Sequence, residues 1–213
     1  LPATTSSYVD NGLAENSGYF YKVRSVINTA YSEYSNIANG QTYAYSVYMQ
    51  FNRDYPAGAP WNSANAAPNL GDRYSDLLTA QGDNSGLAIS IQKNFSGDNS
   101  LGYMTGNNSG VYPDDILRST FWVDGLNVAR LRVEGLNQSQ AYTFVFFGSR
   151  DGGGDRTTLY TVNGQSVSLN CSYNTSQTVQ LDNIRPDENG YADIDISLGP
   201  NSQFGYIGAL VIS

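Results

Sequence analysis

From residue 42 to the C terminus one pattern recurs: a short run of alternating apolar and polar residues, then a cluster of Gly, Asn, Asp and Ser. Alternation with a period of two belongs to half-buried strands, and the clusters belong to turns. Tyr43, Tyr45, Val47, Met49 and Phe51 share one face of the first run. Further strands are expected at 87–93, 120–124, 128–134, 142–147, 157–162, 166–171, 178–181, 192–198 and 206–212. Asn163-Gly164, set between two of these runs, is the strongest hairpin signal in the chain. No segment carries an apolar helical repeat three turns long; "YSDLLTAQG" allows a single turn after Asp72 or Ser75. The pattern predicts an all-β fold, two packed antiparallel sheets in a jelly-roll-like β-sandwich over 42–213.

Charge narrows the partners. With 11 basic and 19 acidic residues, a net charge of −8 and a pI near 4.3, the chain lacks the basic surface that phosphate binding needs. No apolar run is long enough for a membrane span. Histidine is absent and Cys171 stands alone, which excludes His-based triads, Cys/His zinc sites and an intramolecular disulfide. Cys171 alternates with Val167 and Leu169, the pattern of a small buried filler. Scarce Lys with abundant Asn, Ser, Thr, Gly and Tyr points to a secreted or cell-surface protein. The opening "LPATTSSYVD", without Met, reads as part of something longer.

Residues 6–36 read as strand, turn, strand, hairpin, strand. Tyr8, Asp10, Gly12, Leu13, Ser17, Tyr19, Tyr21 and Val23 match a phrase near the end of a fibronectin type III domain, with Glu15 at its usual proline and Ser17 at its usual threonine. Residues 1–38 therefore resemble the C-terminal strands of such a domain, truncated at the front. The resemblance implies a tyrosine-corner role for Tyr19, its hydroxyl bonding back to the preceding loop. A piece without its first strands has no core of its own. Tyr19, Tyr21 and Val23 are expected to be buried against the larger domain or a second molecule.

The remainder carries "MQFN", Trp61-Asn62, "GVYPDDILRSTFWV", "RLRVEGLNQSQAYTFVFFGSR", "RTTLYTVNGQSVSLN" and the ending "FGYIGALVIS". These stretches resemble the galactose-binding-like jelly-roll modules of secreted multidomain bacterial proteins. The resemblance implies an accessory, carbohydrate-binding role beside other domains, and transfers no sugar contact to a particular residue.

Two long connections, 53–75 and 94–118, hold Trp61, Tyr103 and Tyr112. Loops of that length in a compact domain are usually functional or disordered. Exposed rings offer a flat apolar surface to the C–H face of a pyranose. Trp61 with Asn62 leads, followed by Tyr103 and Tyr112; the alternative is that each ring anchors its own loop. Trp122, opposite in phase to Phe121, is expected in the core. In "FFGSRDGGGDRTT", Arg150, Asp151, Asp155 and Arg156 surround three glycines. Two Arg forks holding two carboxylates are the default reading. A ligand-contacting loop is the second. Calcium on Asp151 and Asp155 is the third, opposed by the adjacent arginines. The echoes "GDNSG", "GDNSL" and "GNNSG" suit turns better than metal.

Catalysis would have to use carboxylates. Asp114 and Asp115 are adjacent, so they do not supply opposed groups across a sugar, and Glu134 sits where a strand gives way to a turn. The sequence thus predicts a non-catalytic module that binds a polysaccharide or glycan at a surface, with no catalytic residue and no required cofactor. The alternatives are a structural or adhesive spacer and, remotely, a glycoside hydrolase.

Overall fold

The structure, a computed structural model, describes Asp10, residues 17–41 and residues 46–213, and the chain divides into two units, 1–45 and 46–213. In the first unit lie β1 (Gly18–Tyr21), a hairpin of β2 (Val26–Ile27) and β3 (Ala30–Tyr31), and β4 (Ala38–Gln41), which pairs antiparallel with β1. Arg24 lies over the rings of Tyr31 and Tyr34, at 3.9 and 4.8 Å from their centroids. Within this unit Tyr21 and Val23 are exposed and Tyr19 is half-buried. Tyr8, Gly12, Leu13 and Glu15 of the fibronectin-like phrase lie outside the described residues, as do Tyr43 and Tyr45.

The second unit contains β5 (Val47–Gln50), β6 (Trp61–Ser63), β7 (Arg73–Tyr74), β8 (Ala88–Lys93), β9 (Gly97–Asn99) and a single helical turn, α1 (Asp114–Leu117). Then follow β10 (Thr120–Asp124), β11 (Ala129–Glu134), β12 (Tyr142–Phe147), β13 (Thr157–Val162) and β14 (Gln165–Asn170). The last are β15 (Val179–Ile184), β16 (Ala192–Leu198), β17 (Phe204–Ile207) and β18 (Ala209–Ile212). The expected one-turn helix after Asp72 or Ser75 does not form. Residues 73–74 pair as a strand with β8 instead, and the helical turn comes at Asp114.

Two sheets make the sandwich: six strands in the order β14-β13-β16-β11-β8-β7, and five in the order β15-β12-β18-β5-β6. Every pairing is antiparallel except β5 with β6, which run parallel. Asn163 and Gly164, at φ 50° and 79°, form the left-handed two-residue turn between β13 and β14, as the sequence predicts. Alternation builds both faces of each strand. On β11, Ala129, Leu131 and Val133 are fully buried, while Arg130 and Arg132 point outward to Asp195 and Asp193 of β16. Between the sheets, Phe146 of β12 lies flat on Tyr160 of β13, ring centroids 4.6 Å apart. Cys171 is buried in this core, and burial pushes its thiol up to about 12, which suits a filler and not a nucleophile.

A third sheet of three strands, β17-β10-β9, positions the candidate site. Phe121 and Val123 face inward and are fully buried, so their neighbour Trp122 faces outward. Gly208 lets the chain leave this sheet as β17 and enter the five-stranded one as β18: a Cβ there would meet the Ser119 carbonyl at 2.7 Å.

Candidate functional site

The outer face of β9-β10-β17 carries a hollow of about 330 Å³ floored by aromatic rings. Register explains the floor. Trp122 stands opposite both Gly97 and Tyr206, and the missing side chain at Gly97 makes room for the indole: a Cβ would lie 3.1 Å from its Nε1. Phe204 meets Trp122 edge-on at 5.9 Å and stacks against Tyr206 at 6.5 Å. Trp122 and Phe204 are half-buried, resting on the core while keeping part of each ring accessible; Tyr206 lies deeper.

The rim is polar, and the loop 148–156 supplies it. Its backbone is tightly held: Arg150 N–H donates to the Cys171 carbonyl, Asp151 N–H to the Leu101 carbonyl, and Cys171 N–H to the Arg156 carbonyl. From this frame Arg150 Nη1 reaches Asn99 Oδ1 at 3.3 Å, and the Arg156 guanidinium sits over the Phe204 ring, 5.1 Å from its centroid. Arg156 Nη1 also approaches the Tyr206 hydroxyl at 3.5 Å, a long contact. Burial raises the Tyr206 phenol above its ordinary range, with Arg156 and Arg150 acting in the opposite direction. Asp98 lines the same hollow, and its carboxylate is held by Arg53 at 3.3 Å.

The default reading of the loop is corrected here. Among the described residues no ion pair joins Arg150 or Arg156 to Asp151 or Asp155. Asp155 instead accepts the Thr157 N–H at 2.9 Å, the Thr157 side chain and then its N–H hold the carboxyl below the usual range, and the arginines turn to Asn99, Phe204 and Tyr206. Asp151 is exposed.

The other sequence candidates fall elsewhere. Trp61 and Tyr112 do meet, edge-on at 5.0 Å, but over a small apolar cluster of Ile116, Leu117, Phe147 and Ala209. Trp61 also touches Tyr48 at 5.1 Å, and Tyr112 touches Phe147 at 5.4 Å. Burial pushes the Tyr112 phenol up to about 12. Asn62 is fully engaged with backbone, donating to the Tyr48 and Leu78 carbonyls and accepting from Leu78 N–H. Buried Gln50 ties both long loops down, donating to the Tyr55 and Asp115 carbonyls and accepting from Ala57 N–H and Ser63 Oγ. Tyr103, 40% exposed, packs edge-on against Tyr173 at 5.2 Å, beside Gly153. Only Arg150 and Arg156 of the expected residues line the hollow; Trp122, Phe204, Tyr206 and Asn99 were not among them.

Of the carboxylates considered for catalysis, Asp114 and Glu134 are engaged in structural bonds, while Asp115 is exposed with Arg118 at 3.9 Å. Asp114 loses hydration by burial, which raises its pKa, but bonds from Thr105 and the adjoining backbone override this and bring it below the ordinary range. Glu134 follows the same pattern, with Ser90 and Arg73 outweighing desolvation. Among the described residues no three Asp, Glu, Cys or His side chains gather as metal ligands. The Asn-Ser echoes are turns: Asn84, Asn99 and Asn107 each accept the N–H two residues on.

No family model and no curated protein matches the chain. Among solved structures it is similar to Bacteroides uniformis β-glucuronidase 2 covalently bound to cyclophellitol-6-carboxylate aziridine, at 10% identity and a TM-score of 0.44. That match covers 91% of this chain and 22% of the enzyme's. A calcium-binding mutant of the same enzyme matches at 12% identity and a TM-score of 0.42, with the same coverage. A CBM35 module from Cellvibrio japonicus matches at 15% identity and a TM-score of 0.25, over 59% of this chain and 92% of that one. At TM-scores of 0.44 and below these likenesses carry no functional argument.

Proposed function

We propose that residues 46–213 form a non-catalytic carbohydrate-binding module whose site is the hollow on the β9-β10-β17 face. One observation carries the reading: two half-buried rings, Trp122 and Phe204, form an accessible floor ringed by Asn99, Arg150 and Arg156. A sugar ring presents an apolar C–H face to such a floor and hydroxyls to such a rim. The frame is preorganised by sheet register and by the bonded loop, so little ordering opposes binding. Trp61, Asn62 and Tyr112 serve, in this reading, to fasten the long loops. The depressed pKa values of Asp114 and Glu134 speak against a carboxyl kept protonated to act as general acid. A secreted or cell-surface setting follows from composition, and the fibronectin-like reading of the leading segment rests on its phrase alone. Among the described residues no helix is long and apolar enough to cross a membrane.

Affinity electrophoresis through gels containing a panel of neutral and acidic polysaccharides tests the reading. The full chain should be retarded by at least one, and Trp122→Ala and Phe204→Ala should each abolish that retardation while still melting cooperatively. Retardation unchanged in both variants would remove the site. Absence of retardation by every polysaccharide would favour the spacer alternative.

A further inference from the structure

Among the described residues neither Arg150 nor Arg156 forms an ion pair with a carboxylate. Five other arginines of the same unit, Arg53, Arg73, Arg118, Arg130 and Arg132, reach a carboxylate, while exposed Arg185 does not. Arg130 grips Asp195 through Nε and Nη2 at 2.7 and 2.6 Å, Arg132 grips Asp193 at 2.7 and 3.0 Å, and Arg73 reaches Glu134 at 2.9 Å. With 19 acidic residues available, partners for Arg150 and Arg156 were not scarce. Yet the two converge. A Cβ placed on Gly152 would lie 4.0 Å from Arg150 Nε and 3.8 Å from Arg156 Nη2, so both groups flank one small space above that glycine. Arg156 Nε is buried and has no hydrogen-bond acceptor. Like charges brought together repel, and a buried donor without an acceptor is costly. An anion between the two forks would relieve the repulsion.

Resting on the carbohydrate reading, we infer that the ligand is an acidic saccharide, its carboxylate or sulfate oxygens held by Arg150 and Arg156 while the sugar ring lies on Trp122 and Phe204. Guanidinium forks match planar carboxylates and sulfate oxygens in two-point contact, and the aromatic floor supplies the part of recognition that charge does not. The other charged or titratable groups around the space are few. Asp98 is paired to Arg53, Asp155 accepts the Thr157 N–H, Asp151 is exposed, and burial raises the Tyr206 phenol above its ordinary value. The global field opposes such a ligand: a protein of net charge −8 repels polyanions. Retention of a polyanion by this chain is therefore a local property and not ion exchange.

The test uses the full chain on a glycan array, and in affinity gels, with four probe classes: uronate-containing polysaccharides, the same polymers after carboxyl reduction, sulfated galactans, and neutral glucans and xylans. The inference predicts retention by an anionic probe, lost on carboxyl reduction if the group is a carboxylate. Arg150→Gln and Arg156→Gln should each weaken retention about tenfold or more, with melting curves near wild type, and Arg150→Lys should recover part of it. Retention should fall with added salt. For a uronate it should also fall below about pH 4, as the sugar's own carboxyl protonates; for a sulfate ester it should persist. Retention by neutral polysaccharides with no preference for their acidic counterparts overturns the inference and leaves the sugar site standing. So does an acidic probe indifferent to both Arg→Gln changes. If no saccharide is retained, the carbohydrate reading fails and the inference falls with it.

Discussion

Replacing Trp61 by alanine separates packing from recognition. Trp61 is half-buried, touches Tyr48 and Tyr112 edge-on at 5.1 and 5.0 Å, and covers the cluster of Ile116, Leu117, Phe147 and Ala209. A buried aromatic side chain removes ~150–250 Å² from water. About half of that, at ~25 cal/mol per Å², is worth roughly 2–3 kcal/mol. Each edge-on contact adds ~0.5–1.5 kcal/mol. Residual structure in the unfolded chain trims the area contribution, so a loss of about 3 kcal/mol is expected. For a unit of this size that lowers Tm by roughly 6–12 °C. Calorimetric melting of wild type and Trp61→Ala, beside affinity gels run well below both transitions, makes the measurement. The expected result is a lowered Tm with saccharide retention unchanged. An unchanged Tm would refute the packing role, and retention lost in a fully folded variant would move the binding site to Trp61.

Further outcomes follow from the same geometry. Gly97→Ala places a methyl 3.1 Å from the Trp122 indole, so the ring must shift by a few tenths of an ångström; isothermal titration with a bound saccharide should show weaker binding and thermal melting little change. Gly164→Val puts a branched side chain at φ 79° in the β13–β14 turn, which should cost ~1–3 kcal/mol in urea unfolding. Asp195 is held below the usual carboxylate range by its hydrogen bonds from Arg130. Its contribution to stability is therefore present above its unfolded pKa of about 3.9 and is lost as pH falls through the lower folded value. Melting temperatures measured from neutral to acid pH should fall across that window, and Asp195→Asn should flatten part of the fall while lowering stability at neutral pH.

What the sequence made legible was set by local periodicity. Strands 157–162 and 192–198 were readable to the residue because they alternate between core and surface, and 120–124 and 142–147 because short apolar, aromatic-rich runs end at turn residues. Asn163-Gly164 announced its hairpin because both residues tolerate left-handed backbone. β6, β7 and β9 were not readable: each is two or three residues long, and pairing across the sheet, not composition, makes it a strand. The run 206–212 hid a change of sheet at Gly208, which no alternation marks. For the site, the phase of Trp122 against Phe121 was the available signal. Once Phe121 is inward, Trp122 must face out, yet tryptophan in a strand reads first as core. Phe204 and Asn99 joined the site only through register with β10, which the sequence does not contain. Trp61 and Tyr112 draw notice because long loops with aromatics suggest binding; in the structure the rings pack on Ile116, Leu117, Phe147 and Ala209, and the buried Gln50 amide bonds to both loops.

The chain has two tryptophans, so its proton–nitrogen correlation spectrum contains two indole Nε1–H signals. They are assigned by Trp61→Phe and Trp122→Phe. Titrating the labelled full chain with an oligosaccharide cut from a polymer that it retains tests the central claim most directly. The account predicts that the Trp122 signal moves in a saturable way while the Trp61 signal stays in place. Movement of Trp61 with Trp122 unmoved, or no movement of either signal during saturable binding, would contradict it.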